Sequence, residues 1–94
     1  MGRLPTTKTI TALVSDVSNP QILYASSGDG VFKSTDAGKS WQTMNTGLRD
    51  TGIVALVLHP TQPWRLYAAT ASGAIFRSTD GASTWQRQGQ LPGE

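Results

Sequence analysis

The chain has 94 residues, 37% hydrophobic and 15% charged, with a formal net charge of +2. That length supports one small domain, and a charge so small and so scattered excludes a basic nucleic-acid surface. The absence of cysteine excludes a disulfide framework, a thiolate metal site and a redox role.

Ten glycines and five prolines divide the chain into short runs, a composition of strands and turns rather than helices. In chain order, strands are expected over Ile10 to Val14, Ile22 to Ser26, Val31 to Ser34 and Ser40 to Met44. A second set follows over Ile53 to Leu58, Leu66 to Thr70, Ala74 to Ser78 and Thr84 to Arg87. Asp16 to Pro20, Ser27 to Gly30, His59 to Pro63 and Ala71 to Gly73 are turn-forming clusters between them. Neither set leaves room for a helix. The longest apolar run, Ile53 to Leu58, is six residues, against the roughly 20 a membrane helix needs. The first residues lack the apolar segment of a signal peptide, so a soluble chain is expected, with no membrane partner and its compartment left open.

The two sets are one text written twice. Ser34-Thr-Asp36-Ala-Gly38-Lys-Ser40-Trp41 returns as Ser78-Thr-Asp80-Gly-Ala82-Ser-Thr84-Trp85. Ile22-Leu-Tyr24-Ala returns as Arg65-Leu-Tyr67-Ala, and Val31-Phe32-Lys33 as Ile75-Phe76-Arg77. The offset is 43 residues up to Tyr24 and Tyr67 and 44 from Phe32 and Phe76, which places one extra residue in the second unit's middle hairpin. A fixed period of this length marks a repeat architecture whose units bury their faces against one another. Each unit reads as a four-stranded antiparallel meander, residues 4–47 and 48–92, with Leu4-Pro5, Leu48 and Leu91-Pro92 at the edges.

The Ser-x-Asp-x-Gly-x-Ser/Thr-Trp run is a turn in which a short carboxylate accepts hydrogen bonds from its own backbone. A glycine takes the left-handed conformation there and the Trp covers the turn. This pattern resembles the Asp-box, or BNR, repeat of β-propellers, and residues 4–92 look like two consecutive blades. The resemblance implies structural roles for Ser34, Asp36, Gly38, Trp41, Ser78, Asp80 and Trp85. The second box departs from it, with Ala82 at the glycine position and Gly81 one place earlier, so a shifted or mildly strained turn is expected there.

Trp64 stands apart, because it replaces Gln21 of the first unit in a loop and the repeat does not require it. It is the candidate ligand-contact residue, with a glycan stacked on the loop ring as the expected ligand. His59 has no second histidine, so no metal site is expected, and no cofactor either. Asp16, Asp29, Asp50 and Glu94 are the carboxylates outside the boxes, without the paired arrangement that glycoside hydrolysis needs. Asp-box propellers include sialidases, other glycoside hydrolases, sortilin-type receptors and a photosystem II assembly factor. The arginine cluster and Arg-Ile-Pro segment of the sialidase pattern are missing here. No catalytic site is therefore expected.

Two blades do not close a ring, since propellers need about four to eight. Two open blade faces of ~300 Å² each, half apolar, would gain on the order of 8 kcal/mol on being covered. The chain is expected to complete its ring with copies of itself, a cyclic trimer of six blades ahead of a tetramer of eight. The expected function is a self-assembling scaffold or binding module. The alternative is a carbohydrate-binding, lectin-like propeller or, further off, a fragment related to glycoside hydrolases.

Overall fold

The computed structural model describes residue 4 and residues 6–90. Pro5, Leu91, Pro92 and Glu94 lie outside the described residues. The described chain is all-β, with eight strands in two antiparallel sheets. The first sheet runs β1 (Ala12–Asp16), β2 (Asn19–Ser27), β3 (Gly30–Ser34) and β4 (Gln42–Thr43), in that order in space. The second repeats it with β5 (Ile53–Leu58), β6 (Leu66–Thr70), β7 (Ala74–Ser78) and β8 (Gln86–Gln90). These are the two meanders expected from the repeat.

Five strands differ from their expected bounds, β2 and β3 by starting earlier, at Asn19 and Gly30, so that Asn19 and Pro20 belong to a strand and not to the turn before it. The strand expected from Ile10 starts at Ala12, although Thr11 still donates its N–H to Ser26 at 2.8 Å. The strand expected over Ser40 to Met44 is only Gln42–Thr43, because the carboxylate of Asp36 holds Ser40 in the box and out of the ladder. The last strand lies later than expected, at Gln86–Gln90, for the same reason at Thr84. The extra residue sits where the change of offset placed it. Ser27 and Gly30 pair across a two-residue turn, Gly28-Asp29, whereas three residues, Ala71 to Gly73, join β6 to β7.

Pleating sends alternate side chains to opposite faces. In β6 Leu66, Ala68 and Thr70 are buried, and in β7 Ala74, Phe76 and Ser78, while Tyr67, Ala69, Ile75 and Arg77 turn to the other side. The buried set meets Tyr24 and Val31 of the first sheet in one core, with Ala12, Val14 and Ile22 packed at its margin. Tyr24 is the repeat equivalent of Tyr67, and Val31 of Ile75. The sheets therefore stack front to back: the face the first turns into the seam corresponds to the face the second turns away. Lys33 crosses the seam, 5.5 Å from the centre of the Tyr24 ring, and its Nζ donates to the Gly81 carbonyl at 3.2 Å. Burial, with the Asp16 carboxylate second, pushes the Tyr24 hydroxyl up to about 12.

Candidate functional site

The box turns are built identically. Ser34 and Ser78 are buried at the ends of β3 and β7. Ser34 Oγ accepts from the Gly38 N–H at 2.8 Å, and Ser78 Oγ from the Ala82 N–H at 2.9 Å. Each hydroxyl donates in turn to its aspartate at 2.8 Å. Asp36 accepts further bonds from the Ser40 N–H at 2.9 Å and the Ser40 hydroxyl at 2.6 Å, and Asp80 takes the same pair from Thr84. The Ser40 hydroxyl, then its N–H, then the Ser34 hydroxyl hold the Asp36 carboxyl down at about 2. Asp80 is likewise held below the usual carboxylate range, first by the Thr84 hydroxyl. Such carboxylates are occupied by their own turns and are poor proton carriers at neutral pH.

The second turn is not shifted. Both boxes place two successive residues at positive φ: Ala37 at 62° and Gly38 at 90°, then Gly81 at 69° and Ala82 at 72°. Each uses one glycine and one alanine in the step, in opposite order. The tip is pinned alike in both sheets, by the Ala37 N–H on the Gln21 carbonyl and the Gly81 N–H on the Trp64 carbonyl, each at 2.9 Å.

The two box tryptophans diverge. Trp85 is buried at the seam and its Nε1 donates to the Met44 carbonyl at 2.9 Å. Trp41 is half-buried, and its Nε1 is shielded from solvent with no hydrogen-bond partner.

Trp64 lies in the loop between β5 and β6 with 52% of its surface exposed. Beside that loop is a groove of about 430 Å³ between the ends of β1 and β5, lined by Val14, Val17, Leu58, His59, Pro60 and Pro63 among others. Trp64 itself is not part of the lining. His59 Nδ1 accepts from the Thr61 and Gln62 N–H groups at 3.2 Å each. Sequence reading missed this groove. Its signal was the pair of prolines after β5 and the exposed Val17 in a tight turn, each unremarkable alone.

The remaining described carboxylates stay apart, each held by hydroxyl or N–H donors. Asp16 is buried and accepts from the Ser18 N–H and hydroxyl at 2.9 and 2.6 Å. Asp29 accepts from the Thr6 hydroxyl at 2.5 Å and pairs with Lys8 at 3.4 Å, an exposed contact that adds little. Asp50 accepts from the Gly52 N–H at 3.0 Å and the Ser72 hydroxyl at 2.7 Å. The Thr6 and Ser72 hydroxyls are the main cause that lowers these two carboxyls. Among the described residues no three His, Asp or Glu side chains gather to hold a metal.

Residues 29–92 match the Sortilin-Vps10 family model, described as sortilin, neurotensin receptor 3. No curated protein matches the chain. Among solved structures, an ancestral GH74 enzyme superposes with a TM-score of 0.76 at 26% identity, covering 88% of this chain and 11% of that one. A Niastella koreensis GH74 enzyme gives a TM-score of 0.67 at 30% identity, covering 80% of this chain and 13% of that one. The chain thus spans a small fraction of either enzyme.

Proposed function

This chain belongs to the Sortilin-Vps10 family, and on that premise we propose that it is a two-blade piece of β-propeller scaffold that binds rather than catalyses. Its two sheets are blades 1 and 2, and further blades, supplied by copies of itself, complete a closed ring. One observation carries this reading: the sheets stack front to back and leave large apolar side chains outside. Leu13 is 59% exposed, Val54 50% and Val57 57%, all on strands. Leu13 lies on the outer face of the first sheet and Val57 on that of the second, so each end of the stack carries an exposed apolar side chain on a strand.

The second reading is glycan binding, favoured by the exposed Trp64 ring in a loop whose His59, Pro60 and Pro63 line a groove, and by superposition on GH74 enzymes. Native mass measurement combined with a glycan array and turnover of aryl glycosides separates the two. A cyclic oligomer with no glycan signal supports the scaffold. Glycan binding without turnover selects the lectin-like propeller, and turnover overturns both.

A further inference from the structure

The exposed residues at the two outer faces are the repeat equivalents of residues that already meet inside the chain. Leu56 of β5 is 5% exposed because it packs into the seam, lining one groove with Val14. Its equivalent in blade 1 is Leu13, 59% exposed. Ile53 is 1% exposed, and its equivalent, Ile10, is 39% exposed. These are the knobs. On the far side of blade 2, Ala55, Val57, Tyr67, Ala69 and Ile75 line an apolar hollow of about 170 Å³. Their equivalents, Ala12, Val14, Tyr24, Ser26 and Val31, form the surface of blade 1 on which β5 rests. The hollow on one end of the chain is thus shaped by the same residue types that receive a leucine knob in its middle.

A second observation is independent of apolar area. Trp85 Nε1 crosses the seam to the carbonyl of Met44. Trp41 Nε1 is buried without an acceptor, a condition that costs free energy and is uncommon in folded proteins. By the repeat offset, the position of Met44 in a preceding blade is that of Gln88, which is the extra residue of a bulge between Arg87 and Gly89. A neighbouring copy's blade 2, docked in front of blade 1, brings the Gln88 carbonyl to the orphaned indole. The same operation places Arg77, the equivalent of Lys33, against the Ala37 carbonyl, as Lys33 meets Gly81 here.

We propose that the partner is a second copy of this chain, held head to tail with Leu13 of one copy seated in the Ala55–Val57–Tyr67–Ala69–Ile75 hollow of the next and Trp41 Nε1 donating to the neighbour's Gln88 carbonyl. The contact is heterologous, so Leu13 never meets a second Leu13, and repetition closes a ring when the rotation permits. This inference rests on the scaffold reading and specifies its register.

The chain has no cysteine, so introduced thiols report this contact alone. Leu13→Cys and Val57→Cys are made as single variants and combined, then treated with a short bis-maleimide at micromolar protein. The expected result is no covalent dimer from either single variant, a dimer from their mixture, and a ladder from the double variant that ends at the ring size. Leu13→Asp in a companion sample is expected to abolish the concentration dependence of the melting temperature. Efficient cross-linking of Leu13→Cys with itself would mean a face-to-face contact, overturning this register while leaving self-assembly intact. A monomer by sedimentation at the same concentration overturns both the register and the self-assembled scaffold.

Discussion

The Trp85 indole nitrogen reaches the Met44 carbonyl across the seam, whereas that of Trp41, at the same place in the other box, has nothing to reach. Trp85→Phe is expected to lower the stability of the chain by ~1 kcal/mol, the net worth of one hydrogen bond. Trp41→Phe removes an unmet donor and is expected to be neutral or slightly stabilising in dilute, unassembled protein. Denaturant midpoints of both variants at low concentration check the difference, and equal losses would mean that the boxes are equivalent within one chain.

The left-handed pairs give opposite expectations for two alanines. Ala37 is exposed with φ 62°, so Ala37→Gly relieves a conformation costing an alanine ~1 kcal/mol and loses little else. Ala82, with φ 72°, is fully buried in the seam core. There the strain relieved by glycine is offset by the lost methyl, ~0.8 kcal/mol. Ala37→Gly is expected to raise the denaturant midpoint and Ala82→Gly to leave it nearly unchanged. A clear fall for Ala37→Gly would contradict the strained step.

Acid should weaken the boxes. The Asp36 carboxyl lies at about 2 against an ordinary 3.8. A group whose folded value is depressed binds its proton more readily when unfolded, so its contribution is complete above the ordinary value and disappears as pH falls through the folded one. Stability is therefore expected to hold above about pH 5 and to decline between about pH 4 and 2, with Asp80 acting in the same direction. Urea midpoints measured from pH 6 to 2 check this, and Asp36→Asn should flatten the decline.

If ring closure and folding draw on the same buried surface, the melting temperature should rise with protein concentration. Leu56→Lys, which buries an ammonium in the seam, should abolish oligomer and fold together. Calorimetry over a dilution series reads the first outcome and circular dichroism with sedimentation the second. Six blades from three copies are expected ahead of eight from four.

The meanders and their boxes were legible in the sequence because alternation and hydrogen-bonding side chains recur at fixed spacing. The left-handed step was half legible. Gly38 and Gly81 fall at different box positions and suggest a displaced turn, yet each fills one half of a two-residue step whose other half is an alanine that carries no signal. The front-to-back stacking was hidden, since Tyr24 and Tyr67 occupy matching positions and only packing decides which faces the seam. Trp64 stands out in the sequence by its lack of a counterpart, and the structure leaves its ring exposed. The neighbouring groove depends on Val17, a turn residue indistinguishable in sequence from ordinary surface.

The Thr6–Asp29 and Asp50–Ser72 bonds are the same clasp with its halves exchanged. In one the incoming segment brings the hydroxyl and the hairpin the carboxylate; in the other the roles are reversed. Grafting β1–β4 behind the segment that carries Asp50 would set that carboxylate against Asp29, two like charges where each blade now has a donor and an acceptor. The reverse graft would face Thr6 with Ser72 and leave no charge to hold them. Both halves of each clasp lie within one unit, so exchanging whole units keeps the clasps, whereas a cut between the incoming segment and its hairpin breaks them. A junction in a hybrid of the two sheets is therefore tolerated before Thr6 or Asp50 and penalised after them.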